Sequence, residues 1–134
     1  MSKKFSYEFK VYYEDTDAGG VVYYANYLKY LERARTEAIL SLGYSNTELK
    51  KKFNIIFVVK SCNINYLKPL KFENKLIVYS SLNELKKISF IMDQVIKNKG
   101  IIVTTSRVHI VCVDTKGKPK KIPDELFKLL NKCI

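Results

Sequence analysis

From Phe5 to Tyr12 apolar or aromatic side chains alternate with polar ones, and this period of two predicts a strand. The polar, glycine-containing stretch Glu14 to Gly20 predicts a turn. From Ala25 the period changes: Tyr27, Leu28, Leu31, Ala34, Ala38, Ile39 and Leu42 recur at three- and four-residue steps. That spacing predicts an amphipathic helix from Ala25 to Leu42, with Gly43 placed to end it. The interleaved Lys29, Glu32, Arg33, Arg35 and Glu37 read as its solvated face, with Arg33 and Glu37 spaced to pair.

After a short polar segment the pattern turns β-rich. Ile55 to Tyr66, Lys75 to Lys86, Ile88 to Lys97 and Ile101 to Asp114 read as long strands. The breaks between them are short, which favours antiparallel hairpins over helical crossovers. Pro123 to Leu130 reads as a last helix, with Pro123, Asp124 and Glu125 suited to its first turn. One long helix against an antiparallel sheet of about five strands is an α+β layer arrangement, and strands this long curl around the helix.

A chain of 134 residues without repeat, linker or low-complexity stretch reads as one domain over residues 1–134. Its apolar runs are too short to span a bilayer, and Met1 to Lys10 lacks the apolar core of a secretory signal. The three cysteines are odd in number and far apart, fitting neither a disulfide framework nor a zinc site. Reduced thiols in a cytoplasmic protein are therefore expected. The formal charge of +11 fits an anionic partner: nucleic acid, an acidic membrane surface, or a small molecule bearing phosphates.

Much familiar chemistry is missing from the sequence. The single histidine, His109, lies inside a strand pattern, and there is no GxSxG elbow, phosphate-binding glycine loop or metal-ligand cluster. The carboxylates of Asp15 and Asp17 precede Gly19-Gly20 and then the helix start. An acidic pair before two glycines is usually a plain turn. Here, however, no capping side chain stands before Ala25, so first-turn N–H groups are left to meet an oxyanion. Asp17 as the attacking group and a backbone N–H near Tyr24 as the donor make a minimal acyl-transfer site, for which thioesters are reactive enough.

The run Tyr13-Glu14-Asp15-Thr16-Asp17-Ala18-Gly19-Gly20-Val21-Val22-Tyr23, followed by Asn26-Tyr27-Leu28 and Glu32 to Glu37, closely resembles the YbgC-type acyl-CoA thioesterases. So does Asn65-Tyr66-Leu67-Lys68-Pro69 further on. These enzymes belong to the hydroxybenzoyl-CoA thioesterase superfamily. The resemblance implies a hotdog fold and subunits that pair through their sheets, as a homodimer or a dimer-of-dimers tetramer, with active sites at the dimer interface. It makes Asp17 the catalytic carboxylate, as nucleophile or as general base for water, and needs no cofactor, coenzyme A being part of the substrate. Many YbgC-type members carry histidine where this chain has Tyr24, whereas hydroxybenzoyl-CoA thioesterases carry tyrosine. Tyr24 is then a catalytic-site residue through its backbone donor, as a wall of the acyl pocket, or through a direct proton role of its hydroxyl.

The same resemblance gives the basic charge a partner in the phosphates of coenzyme A. Lys60, Lys86, Lys87 and Ser89 are candidates to meet them, Gly19 and Gly20 permit close approach to the backbone, and Val58 and Val59 face the acyl tunnel from the partner subunit. Acyl carrier protein and enzymes of phospholipid synthesis are further candidate partners. The alternative to an enzyme is a basic binding module for acidic lipid or nucleic acid, although no nucleic-acid-binding motif is visible.

Overall fold

The computed structural model describes residues 3–134. Five strands, β1 (Lys4–Lys10), β2 (Ile56–Tyr66), β3 (Lys75–Leu85), β4 (Ser89–Asn98) and β5 (Ile101–Val113), form one antiparallel sheet in the order β1-β3-β4-β5-β2. Helix α1 (Asn26–Ser41) packs on one face, and α2 (Asn46–Phe53) and α3 (Asp124–Asn131) complete the layer. This is the expected architecture, a curved sheet wrapped around a long helix.

Alternation fixes which face is covered. Along β3, Leu76, Val78, Ser80 and Leu82 are buried while the residues between them are not. Against them α1 presents Tyr27, Tyr30, Leu31, Ala34, Ala38 and Ile39. Ala34 and Ala38 are small enough to let the helix axis approach the sheet closely. Register shifts at Val59/Ser61, Leu82/Glu84 and Ile96/Lys97 add local twist to strands long enough to curl.

Two expectations need correction. The segment read as short and polar holds α2, which has a capping box: the Ser45 side chain accepts the Glu48 N–H at 3.1 Å and Glu48 accepts the Ser45 N–H at 3.3 Å. Leu49, 1 % exposed, anchors it to the core, and Asn54 in the left-handed region ends it. Arg35, assigned to the solvated face of α1, instead points inward and donates to the Gln94 side chain at 3.0 Å. Gln94 is fully buried, and its Nε2 donates to the Leu31 carbonyl and the Ser80 hydroxyl, each at 3.0 Å. The apolar stripe of α1 is thus interrupted by one cation that a strand glutamine satisfies. Arg33 and Glu37 form no salt bridge among the described residues.

Candidate active site

Between β1 and α1 the chain folds into a loop that sorts the two aspartates into different tasks. The Asp15 carboxylate accepts the Tyr12 N–H at 3.0 Å, and its carbonyl accepts the Tyr23 N–H at 3.0 Å and the Asn26 side-chain amide at 2.9 Å. Asp15 therefore ties the loop to the first residue of α1. Asp17 is exposed, and its backbone N–H donates to the Val21 carbonyl at 2.9 Å. Its Oδ1 accepts the Gly19 N–H at 2.8 Å, and among the described residues Oδ2 has no hydrogen-bond partner. One carboxylate oxygen is held and the other is available for chemistry.

The two glycines build this seat. Gly20 sits at φ 80°, where a side chain is strained, and its N–H closes a turn onto the Asp17 carbonyl at 3.0 Å. A Cβ on Gly19 would stand 3.2 Å from the Asp17 carboxylate oxygen.

Helix α1 begins without a side-chain cap. The Asn26 and Tyr27 N–H groups are taken by the carbonyls of Tyr23 and Tyr24. Among the described residues, the N–H groups of Tyr24 and Ala25 have no such partner. These are the donors a helix start offers to an oxyanion. The Tyr24 ring is 62 % exposed and lies 4.9 Å from that of Tyr23 and 6.4 Å from that of Tyr66. Tyr66 was not among the expected site residues, yet its hydroxyl reaches the Tyr24 carbonyl at 3.3 Å. Nothing in local sequence spacing could connect positions forty-two apart.

The other expected residues gather at the opposite end of the sheet. Val58 pairs with Val111, which pairs with Ser89, whereas Tyr66 pairs with Thr104 and that with Ile96. Val58 lies eight residues before Tyr66 on β2, about 26 Å away at the rise of an extended strand. Val58 and Val59 are 40 % and 49 % exposed and line a cavity of about 130 Å³ with Arg35, Ile39 and Phe57. Lys60 falls in the register shift of β2, exposed. Lys86 and Lys87 are exposed in the β3–β4 turn, with Lys86 Nζ 3.6 Å from Glu84. Ser89, expected beside them at the surface, is instead only 8 % exposed and closes the turn by accepting the Lys86 N–H at 2.8 Å. Within one chain, then, Asp17 and Tyr24 stand at one end and the valines and lysines at the other.

Electrostatics around the loop arise mainly from burial. The Tyr30 hydroxyl, buried behind the loop, titrates far above the ordinary tyrosine range because of desolvation first and the neighbouring Asp15 carboxylate second. It has no hydrogen-bond partner of standard geometry. Burial also pushes the Arg35 guanidinium below its usual value, though arginine stays charged. His109 is a half-buried strand residue, and no cluster of metal-ligating side chains occurs among the described residues.

The model of the thioesterase-like superfamily matches residues 11–130. The chain is 38 % identical over 127 residues to the acyl-CoA thioesterase YbgC of Haemophilus influenzae, covering 94 % of this chain and 93 % of that protein. It is 35 % identical to the acyl-CoA thioester hydrolase YbgC of Escherichia coli, over 91 % of this chain and 92 % of that one. The crystal structure of a probable thioesterase from Bartonella henselae superposes with a TM-score of 0.88 at 32 % identity, over 90 % of this chain and all (100 %) of the other. The chain belongs to the thioesterase-like superfamily and has its hotdog fold.

Proposed function

We propose that this thioester hydrolase cleaves acyl-CoA to the free acid and coenzyme A, with Asp17 as the reacting carboxylate and the backbone N–H of Tyr24 as oxyanion donor. The observation that carries the proposal is the pairing of a half-free Asp17 carboxylate, held by the Gly19 N–H, with an uncapped helix start tied down by Asp15. The thioester carbonyl oxygen accepts the Tyr24 N–H, which stabilises the charge that develops as the carbonyl carbon turns tetrahedral. Asp17 then acts in one of two ways. As nucleophile it bonds to the acyl carbon, the C–S bond breaks to release the thiolate, and water hydrolyses the mixed anhydride. As general base it takes a proton from the water that attacks. Coenzyme A is part of the substrate, and no cofactor takes part.

The site is composite. Strand β2 is an edge with one long exposed side, and antiparallel pairing with a second copy about Cys62 and Asn63 brings the partner's Val59 beside Tyr66. Val58 and Val59 of one subunit then wall the acyl group attacked by Asp17 of the other. Lys60 and the Lys86-Lys87 turn follow them to the mouth, where the coenzyme A phosphates lie; Ser89 acts through the shape of that turn. The protein works in the cytoplasm; no helix among the described residues is long and apolar enough to cross a membrane.

Replacing Asp17 with Asn tests the assignment on a panel of short, aromatic and long acyl-CoA substrates read by free-thiol release. Turnover should fall about 10²–10⁴-fold with an unchanged unfolding midpoint; near-normal turnover would remove Asp17 from the mechanism. A single turnover in ¹⁸O-water tests the nucleophilic route with water attacking the Asp17 side of the anhydride: label then stays on Asp17 and the first acid released is unlabelled, whereas general-base attack labels that acid and never Asp17.

A further inference from the structure

The outer face of the sheet, turned away from α1, carries charge and apolar surface that the thioester site does not use. Cross-strand register sets Lys10 opposite Lys75, and Ile77 opposite both Glu8 and Lys97, so these side chains share that face. Tyr79 stands opposite Val95, and Ile102 opposite Lys97. A groove of about 650 Å³ runs between Lys10, Lys75, Lys97 and Lys99. A second hollow of about 210 Å³ shares Tyr79 and Lys97 with it and extends the surface to Lys4 and Ile102.

None of these five lysines forms a salt bridge among the described residues. Lys10 and Lys97 lie instead over the rings of Tyr12 and Tyr79, each 5.3 Å from the centroid. Glu8 is the one carboxylate lining the groove, and Asp93 in the second hollow is already held by Arg107 at 2.7 Å. At the rim Ile102 is 43 % exposed and Tyr12 is 57 % exposed. Unpaired ammonium groups thus surround side chains that gain by leaving water.

We propose that this face docks on a bilayer rich in anionic phospholipid, with the lysines on headgroup phosphates and Ile102 and Tyr12 entering the interface. Each lysine near an acidic membrane adds attraction, and aliphatic and aromatic side chains add burial at the boundary of headgroup and acyl chain. A second copy of this face is a poor occupant, because a two-fold contact sets the unpaired lysines against one another. Nucleic acid would answer the lysines but gives little to an exposed isoleucine. The docking does not depend on which residue cleaves the thioester, since the face lies on the other side of the sheet from α1.

The test is co-sedimentation with vesicles of pure phosphatidylcholine and of phosphatidylcholine containing about one-third phosphatidylglycerol. The wild-type protein should bind only the second, and binding should weaken steeply as salt rises from about 0.1 M to about 0.5 M. The variant Lys10→Gln/Lys75→Gln/Lys97→Gln/Lys99→Gln should bind at least about a hundredfold more weakly. A variant with the same charge change elsewhere, Lys50→Gln/Lys51→Gln/Lys116→Gln/Lys118→Gln, should keep most of the binding. Tyr12→Ser/Ile102→Ser should lose chiefly the part that survives high salt. Equal losses in the two lysine variants would reduce the effect to net charge and overturn the proposal. So would an altered oligomeric state in the groove variant, which marks a contact between copies, or groove-dependent binding to duplex DNA without binding to vesicles.

Discussion

The hydroxyl of Tyr66, the last residue of β2, donates to the carbonyl of Tyr24 at 3.3 Å, linking a strand end to the turn that starts α1. That carbonyl shares its peptide plane with the Ala25 N–H, the second free donor beside that of Tyr24, so the bond orients and polarises a group placed to assist the Tyr24 N–H at the oxyanion. Tyr66→Phe keeps the ring packing on Tyr27 at 4.9 Å and removes only the hydroxyl. The expected result is a kcat lowered by about 3–10-fold with the unfolding midpoint nearly unchanged, because an exposed hydrogen bond is worth only about 0.5–1.5 kcal/mol. Unaltered kcat would show that Ala25 plays no part.

The Tyr30 hydroxyl is a buried polar group with no partner of standard geometry. Removing such a group leaves nothing unsatisfied, so Tyr30→Phe should leave stability level or raise it by up to about 1 kcal/mol in urea unfolding. A loss larger than that would mean the hydroxyl holds the Asp15 carboxylate in solution.

Arg35 and Gln94 act as a unit. Gln94→Leu strands the inward guanidinium and the Ser80 hydroxyl, and should cost about 1–3 kcal/mol. Arg35→Met leaves the Gln94 oxygen unpaired and should cost a similar amount. Because both single changes break the same contact, the double variant should be more stable than the sum of the two losses predicts, by about 0.5–3 kcal/mol. Strict additivity would deny the coupling.

Sequence periodicity was enough for β1, β3, β4, β5, α1 and α3, because each turns one face to the core and so writes its period into the chain; β2 was legible from its run between breaks, although none of its residues is buried. Helix α2 escaped because only Leu49 of its eight residues is buried, which leaves no stripe; the Ser45-x-x-Glu48 box was its one local signature. Arg35 was misassigned for a different reason. Its partner Gln94 is fifty-nine residues away, and only the packing of α1 on β4 brings the two together. The candidate catalytic residues were legible because Asp15, Asp17, the glycines and the helix start are contiguous. Where they stand relative to Val58, Val59, Lys86 and Lys87 was not, since that depends on strand direction and register across the whole sheet.

Asp93 predicts a small acid sensitivity. The hydrogen bond from Arg107 holds its carboxyl below the usual value of 3.8, assisted by Asn83 and opposed by partial burial. A depressed folded-state value stabilises the protein above the unfolded value and is lost as pH falls through the folded one. The pair is partly exposed, 60 % for Arg107 and 34 % for Asp93, so solvent screening limits the effect to less than about 1 kcal/mol. Asp93→Asn should therefore lower stability slightly at neutral pH and converge with the wild type below the ordinary carboxylate range. A constant gap across the acid limb would assign the effect to packing.

A composite site makes a prediction that no single substitution can make. Asp17→Asn disables a site through the subunit that carries the carboxylate, whereas Val59→Arg disables it through the subunit that supplies the acyl wall. Each homodimer should be inactive. In a mixed dimer one site combines both lesions and the other combines neither, drawing Asp17 from the Val59→Arg chain and Val59 from the Asp17→Asn chain. Random exchange of equal amounts should therefore restore about a quarter of wild-type activity, half the dimers being mixed with one good site in two. The regain should appear only under conditions that allow subunits to exchange. If Val59 instead served the Asp17 of its own chain, each mixed dimer would carry two damaged sites and mixing would restore nothing. The roughly 26 Å between Val58 and Tyr66 along one extended β2 argues against that same-chain arrangement.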